Sequence, residues 1–140
     1  MHATIKNTLV CNAQVRRIIM KLYAAVGKTD ITDVSAKMHD NLFAKILLLS
    51  NGEKTVALIS MDYICLGGGG IGVISKAFFP ALKKELEKQG VCQVLCGTTH
   101  THTHGRMITD EDVILQRILR KVQELKDELI PVTVGVAETK

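Results

Sequence analysis

The alternation of apolar and polar positions predicts strands in the first half of the chain. Residues 22–29 alternate weakly between the two classes. The apolar run at residues 43–49 is followed by Asn51-Gly52, a strong hairpin signal, and then by the apolar run at residues 55–61. We therefore predict that residues 43–61 form a β-hairpin.

A first amphipathic helix is predicted over residues 71–89. The apolar side chains of Phe78, Leu82 and Leu86 recur every four residues, and the charged residues lie mostly between them. Pro80 fits a helix that begins near it, because proline is tolerated in the first helical turn.

A second amphipathic helix is predicted over residues 110–129. Thr109 followed by Asp112 resembles a capping box, and Pro131 stands just past the predicted end. One apolar stripe runs along this helix: Ile114, Ile118, Val122, Leu125 and Leu129.

Two further strands complete the predicted secondary structure. Residues 91–97 follow the first helix, and residues 132–136 follow the second. The order β-β-β-α-β-α-β predicts an α/β fold. We expect a mixed β-sheet, with its hairpin at about 43–61, packed against two amphipathic helices at about 71–89 and 110–129.

The chain of 140 residues fits one domain with a core of its own. Regular β patterning begins only after Met20. We expect residues 1–19 to be an N-terminal extension outside the fold, and residues 20–140 to form a single α/β domain.

Composition excludes several function classes. No apolar run approaches the ~18 residues of a membrane span, so no transmembrane segment is expected. The net charge of +4 is scattered, and aromatic residues make up only 4% of the chain, so we expect no nucleic-acid partner. The four cysteines lack zinc-knuckle spacing, and we expect them to be reduced thiols in a cytoplasmic protein.

The strongest chemical signal is the run Thr99-His100-Thr101-His102-Thr103-His104-Gly105, directly after a predicted strand. Residues two apart on an extended chain point the same way, ~6.6 Å apart. Two imidazoles at that separation can lean onto one ion with Zn–N bonds near ~2.1 Å. Three would span ~13 Å, so a shared site needs a bend, which Gly105 permits.

We therefore predict a zinc site with His100, His102 and His104 as candidate ligands. The competing interpretation is a polar surface loop. Clustered histidines are more typical of metal sites than of loops, which favours the zinc site.

Three other polar features are candidates for the same site. If the strand before Asp62 runs parallel to residues 91–97, Asp62 approaches the histidines as a ligand, an orienting group or a general base. Otherwise Asp62 is a turn aspartate. Arg106 either binds an anionic or carbonyl oxygen or is a solvated loop charge. His39-Asp40 is more typical of a turn.

Gly67, Gly69 and Gly72 match a dinucleotide-binding pattern between a strand and a helix. That pattern also needs an acidic residue at the end of the next strand, and here the strand continues into Thr98 and Thr99. A nucleotide-binding domain using Gly67–Gly72 is therefore a lesser alternative. A mobile loop over the metal site is the favoured interpretation.

In these residues, the chain resembles the N-terminal part of the neutral/alkaline non-lysosomal ceramidases. The likeness covers roughly residues 23–137, and the histidine run is its specific part. It is carried by four stretches that resemble the family's motifs G-x-x-x-D-I-T, H-D-x-L-Y-A-R, V-A-x-V-S-x-D and T-H-T-H-S: Ala25–Thr32, His39–Lys45, Val56–Asp62 and Thr99–Thr103.

This resemblance implies a zinc-dependent hydrolase of a linear amide, with a lipid or another small molecule as substrate. It implies that His100 is a zinc ligand and that His102 is the active-site histidine that assists the reaction. The catalytic set expected on all these grounds is His102, Asp62 and Arg106. The alternative is a non-catalytic binding or assembly module that retains the fold.

Two departures from the family pattern bear on the site. The family continues with G-P after its serine, whereas this chain has His104-Gly105. The family's remaining ligands (a further His, a Glu and a Tyr) lie far downstream of the part that this chain resembles. We therefore expect an incomplete site, either in a truncated chain or in a small relative that completes the site as a homo-oligomer.

Overall fold

The computed structural model describes residues 21–32, 40–67, 73–102 and 110–135, and it has an α/β fold. A mixed five-stranded sheet has the strand order β6-β3-β2-β1-β7, and a separate two-stranded sheet pairs β4 with β5. The elements are β1 (Leu22–Asp30), β2 (Phe43–Ser50), β3 (Thr55–Met61), β4 (Cys65–Leu66), β5 (Val73–Ile74), α1 (Phe78–Lys88), β6 (Val91–Thr98), α2 (Glu111–Asp127) and β7 (Ile130–Val132).

The predicted hairpin is confirmed. Strands β2 and β3 pair antiparallel from Ala44 opposite Met61 to Ser50 opposite Thr55. The side chain of Asn51 closes the turn, because its Oδ1 accepts hydrogen bonds from the backbone of Glu53 at 3.0 Å and of Lys54 at 2.8 Å. The hydrophobic pattern and the turn residues together fix this register.

Both helices cover the same face of the five-stranded sheet. Helix α1 packs on β6, and α2 packs on β1 and β2. Alternate strand residues point into this layer, as the period of two in a strand requires. Together they form one core with the apolar stripes of the helices, including the fully buried Ile46, Leu48, Ala57, Met61, Leu82, Leu86, Ile118 and Val122.

The first helix is shorter than its sequence pattern predicts. Helix α1 begins at Phe78, and Val73–Ile74 form the short strand β5, which pairs parallel with β4. Pro80 is the third helical residue, where no intrahelical partner for a backbone N–H is needed. The β-branched pair Val73-Ile74 favours extended backbone over a longer helix.

The ends of the second helix and the last strand also differ from their predicted positions. Asp110, one residue after Thr109, is the N-cap of α2, and its carboxylate accepts a hydrogen bond from the backbone N–H of Val113 at 3.1 Å. Strand β7 is Ile130–Val132 rather than residues 132–136. Pro131 lies inside it, which is tolerated because β7 is an edge strand.

Helix α2 packs closely over Gly27 of β1. A Cβ added to Gly27 would lie 3.0 Å from Cδ2 of Leu125 and 3.4 Å from Cδ of Lys121. A Cβ added to Gly97 of β6 would have no heavy atom within 4 Å.

We predict that Gly27→Val lowers the free energy of unfolding by about 1–3 kcal/mol, because the larger side chain pushes α2 away from the sheet. Gly97→Val is the matched control and should be neutral or slightly stabilising, because valine favours strands. Chemical denaturation of the two variants measures both effects. Equal stabilities would contradict the packing described here.

Candidate metal site

The candidate site lies where two parallel strands end side by side. Strands β3 and β6 run parallel, with Met61 opposite Thr98 at the end of the pairing. The backbone N–H of Thr99 donates to the carbonyl of Met61 at 2.9 Å, so the alignment continues one residue past the strand. Asp62 and the histidine run therefore leave the sheet at the same edge, as the sequence predicted for parallel strands.

Asp62 joins three strands through its carboxylate. Its Oδ2 accepts a hydrogen bond from the backbone N–H of Phe43 at 3.1 Å, and its Oδ1 lies 3.2 Å from both Nζ of Lys45 and Oγ1 of Thr99. The side chain of Asp62 is only 14% exposed, whereas that of Lys45 is 54% exposed. The carboxylate thus ties the start of β2 to the residue that precedes His100.

His100 has a backbone conformation that few side chains adopt. Its φ angle is +59°, in the left-handed region, where a residue other than glycine is strained. Its Nδ1 lies 2.8 Å from the carbonyl oxygen of Ile64, which also accepts a hydrogen bond from Oγ1 of Thr98 at 3.2 Å. A carbonyl oxygen can only accept, so Nδ1 of His100 carries the proton.

This hydrogen bond orients the His100 ring. With the proton on Nδ1, the lone pair of the neutral ring is on Nε2, and metal-bound histidines are usually oriented by such a contact from their other nitrogen. His100 is an exposed residue at the sheet edge.

The rings of His100 and His102 lie next to each other. Their centroids are 5.1 Å apart, and their planes make an angle of 78°. The sequence argument assumed an extended segment, but the backbone at His100 is left-handed. Regular strand periodicity therefore does not account for the proximity of the two rings.

An open cavity of about 460 Å³ borders the Asp62 carboxylate. Asp40 and Asn41 line it from before β2, and Thr99 and Thr101 line it from the histidine segment. His39-Asp40 was predicted to be a turn pair. Asp40 lies at this cavity, and His39 is outside the described residues.

Several predicted site residues are not among those that the structure describes. His104 and Arg106 fall outside the described residues, as do all the glycines of the dinucleotide pattern except Gly67. Within the described ranges, no group of three or more His, Cys, Asp or Glu side chains is placed to hold a metal ion. The described part of the site is therefore a pair of histidines.

Comparison with solved structures shows that the fold is similar to part of two ceramidase structures. A ceramidase complexed with C2 matches with a TM-score of 0.60 and 16% sequence identity over 80% of this chain. A neutral ceramidase from Pseudomonas aeruginosa matches with a TM-score of 0.58 and 17% identity over the same share. The chain has a ceramidase-like fold. The match spans only 22% of either ceramidase chain.

No protein-family model matches the chain, and no curated protein matches its sequence. At 16% and 17% identity, the two solved structures show that the fold is shared. A shared fold does not by itself assign an activity, a substrate or a metal to this chain.

The ceramidase-like fold brings together the four stretches that resemble ceramidase motifs. Asp30 of the first stretch accepts a hydrogen bond from Nδ2 of Asn41 in the second at 2.9 Å. Asp62 of the third stretch contacts Phe43 of the second and Thr99 of the fourth. The stretches are separate in the sequence, and the described contacts between them lie at one edge of the sheet.

Asp30, the last residue of β1, is an ionised carboxylate at the same edge of the sheet. Burial tends to raise the pKa of Asp30, but hydrogen bonds from Thr32 and Asn41 and the charge of Arg117 outweigh it and lower the pKa below its usual value. The guanidinium of Arg117 on α2 also donates to the carbonyl oxygens of Asp30 at 3.1 Å and Thr32 at 3.3 Å. These hydrogen bonds connect helix α2 to the edge of the sheet at which the candidate site lies.

Three contributors to the site are not found by sequence reasoning. The Ile64 carbonyl is a backbone group with no sequence signal, and Thr98 contributes through the same carbonyl. Lys45 looks like an ordinary exposed strand lysine, although it pairs with Asp62. Its place next to Asp62 follows only from the register of β2 and β3, in which Lys45 lies opposite Ser60.

We predict that His100 is the Nδ1–H tautomer when neutral. Long-range ¹H–¹⁵N spectra of labelled protein distinguish the two nitrogens of each ring. Changing Ile64 to another residue retains the carbonyl, so the tautomer should persist in Ile64→Val. An Nε2–H tautomer of His100 in the folded protein would contradict the role assigned to the Ile64 carbonyl.

We predict that Asp62→Ala lowers the free energy of unfolding by about 1–3 kcal/mol, because it leaves the Phe43 N–H without its partner at a partly buried position. Asp127→Ala, which removes an exposed carboxylate at the end of α2, is the control and should change stability little. Thermal or urea unfolding provides the comparison. A loss no larger than that of the control would mean that Asp62 does not join the strands.

Proposed function

We propose that the chain carries the histidine pair of a zinc-dependent amide hydrolase of ceramidase type. The observation that carries this proposal is the pairing of His100 and His102 at the edge of a ceramidase-like sheet, with His100 oriented by the Ile64 carbonyl. Sheet edges where parallel strands end are the usual ligand sites of α/β folds.

The distance between the two rings fits one shared zinc ion. With Zn–N bonds of ~2.1 Å and a near-tetrahedral angle, the centroids of two imidazoles on the same ion lie about 5 Å apart. The observed separation is 5.1 Å. The donor set also fits, because neutral imidazole nitrogen is a preferred zinc ligand.

Each residue of the proposed site would have a separate role in amide hydrolysis. A bound zinc ion would supply Lewis acidity, polarising the amide carbonyl and lowering the pKa of a coordinated water. His100 is proposed as a ligand, with its proton held on Nδ1. His102 is proposed to hold the ion or to move a proton between the nucleophile and the leaving nitrogen.

Asp62 is proposed to orient the site rather than to bind the ion. Both of its carboxylate oxygens already accept hydrogen bonds, from Phe43 on one side and from Lys45 and Thr99 on the other. It therefore fixes the segment that carries the histidines. Arg106 remains a candidate for binding an anionic or carbonyl oxygen, as proposed from the sequence.

The site needs more ligands than the two described histidines. A catalytic zinc site takes three protein ligands and an open position for water. His104 is one candidate for the third ligand. Residues of a longer chain or of a second copy are the others, since the ceramidase-like part spans 22% of the ceramidases that it matches.

The proposed substrate class is a linear amide, and a lipid amide in particular. The supporting observations are the likeness to ceramidase structures and the open cavity beside Asp62. The described residues include no helix that is long and apolar enough to cross a membrane.

A non-catalytic module is the second candidate function. The sequence His104-Gly105, where the ceramidase motif continues with G-P, favours it, because the chain departs from that motif directly after the histidine pair. Such a module would retain the ceramidase-like fold without turnover. Binding and turnover must therefore be measured separately.

We expect the purified chain to bind zinc, and His100→Ala to weaken that binding by more than about tenfold. The measurement is isothermal titration of metal-free protein with zinc chloride, with elemental analysis of the dialysed complex. His102→Ala should weaken binding comparably if both rings hold the ion. His2→Ala, which alters a histidine outside the run, is the control.

Zinc affinity that is unchanged in both His100→Ala and His102→Ala would contradict the proposed site. With zinc bound, hydrolysis of a short-chain fluorescent ceramide or a simple N-acyl amide decides between the two candidate functions. Turnover that is lost in His102→Ala supports the hydrolase. Zinc binding without turnover of any tested amide supports the non-catalytic module.

A further inference from the structure

The end of β3 and the residues directly after it accept the hydrogen bonds that hold His100 and its neighbour. The backbone N–H of Thr99 donates to the carbonyl of Met61 at 2.9 Å, and Oγ1 of Thr99 donates to the Asp62 carboxylate at 3.2 Å. Nδ1 of His100 donates to the carbonyl of Ile64 at 2.8 Å. The position of this short segment therefore determines the position of the His100 ring.

Tyr63 lies between the two acceptor residues Asp62 and Ile64. Its side chain is fully buried, and it is the largest of the fully buried side chains among the residues that the structure describes. Asp62 and Ile64 on either side are only partly buried. Tyr63 is therefore the residue of this segment that is packed most deeply in the core.

The backbone around Tyr63 changes direction at the end of β3. The N–H of Tyr63 donates to the carbonyl of Met61 at 2.9 Å, and a hydrogen bond to the carbonyl two residues earlier is the pattern of a γ-turn. After this turn the side chain of Tyr63 enters the core, whereas the Ile64 carbonyl faces the His100 ring.

The Ile64 carbonyl is also held on its C-terminal side. It belongs to the same planar peptide unit as the N–H of Cys65, so the direction of the carbonyl follows the backbone of that residue. Cys65 begins β4, which pairs parallel with β5, and the N–H of Gly67 donates to the carbonyl of Ile74 at 2.8 Å. The carbonyl thus lies between a fully buried side chain and a paired strand.

We propose that Tyr63 is a positioning residue of the candidate metal site. Its buried ring fixes the Ile64 carbonyl, and that carbonyl orients the His100 ring. The effect on metal binding rests on the proposed function of the histidine pair. The effect on the His100 ring does not, because the hydrogen bond to Ile64 exists without metal.

A small displacement of the Ile64 carbonyl is enough to release His100. Buried aromatic side chains remove about 150–250 Å² from water, and a smaller residue leaves space into which its surroundings partly relax. A carbonyl shift of about 0.5 Å away from His100 lengthens the 2.8 Å contact beyond the usual limit of ~3.2 Å for an N–H···O hydrogen bond. The size of the side chain at position 63 therefore controls this contact.

The tautomer of His100 in the metal-free protein gives the first test. We expect Tyr63→Leu to raise the share of the Nε2–H tautomer in long-range ¹H–¹⁵N spectra, because the Ile64 carbonyl no longer holds the proton on Nδ1. Tyr63→Phe retains the ring and should retain the Nδ1–H tautomer. Phe78→Leu is the matched control, because it shortens another buried aromatic residue of the core, on α1, and should leave His100 unchanged.

Zinc titration of the same variants gives the second test. Tyr63→Leu should weaken zinc binding about three- to tenfold, which is at or below the loss expected for a residue that contacts a ligand directly. Tyr63→Phe and Phe78→Leu should bind zinc as the unaltered chain does. Circular dichroism shows whether each variant is folded, and Tyr63→Met, which fills more of the space, replaces Tyr63→Leu if the latter unfolds.

The two measurements separate this inference from the proposed function. An altered His100 tautomer in Tyr63→Leu supports the positioning role even if the unaltered chain binds no zinc, a result that would contradict the proposed function alone. A His100 tautomer in Tyr63→Leu that equals that of Phe78→Leu overturns the positioning role, whether or not zinc binds.

Discussion

The parallel pairing of β3 with β6 is the constraint on which the rest of the structure depends. It brings Asp62 and the histidine segment to one edge of the sheet. Asp62 contacts Thr99 there, although the two residues are 37 positions apart in the sequence. A parallel pair requires a crossover connection, which here contains α1. Helix α1 packs on β6 and so contributes both to the core and to the position of the site.

The alignment of β3 and β6 extends into the polar groups beyond their ends. The Asp62 carboxylate accepts a hydrogen bond from Thr99, and the Ile64 carbonyl accepts one from Nδ1 of His100, whose backbone is in the left-handed region. Strain of this kind persists only when surrounding contacts enforce it, and it is common at functional sites. These contacts fix the position of His100, and the ring of His102 lies beside it.

Much of the fold could be predicted from sequence, because its signals are local. The Asn51-Gly52 turn and the apolar runs beside it define the hairpin, and the stripe of α2 defines that helix. The errors lie where local and tertiary preferences compete. Val73-Ile74 pairs with β4 instead of extending α1, and Pro131 is accommodated in β7 because that strand lies at the sheet edge.

The candidate site was less accessible to sequence reasoning. Spacing identified His100 and His102, but strand periodicity was the wrong reason for their proximity, because the backbone at His100 is left-handed rather than extended. The Ile64 carbonyl and Lys45 follow only from the register of strands that are distant in sequence.

The proposed function depends on a zinc ion bound by His100 beside the ring of His102. A crystal structure of the zinc-treated protein, with anomalous data collected on both sides of the zinc absorption edge, tests this most directly. We expect one anomalous peak about 2.1 Å from Nε2 of His100 and next to the ring of His102, with Nδ1 of His100 still hydrogen-bonded to the Ile64 carbonyl. A zinc ion bound away from His100, or rings that remain metal-free in excess zinc, would contradict the proposal.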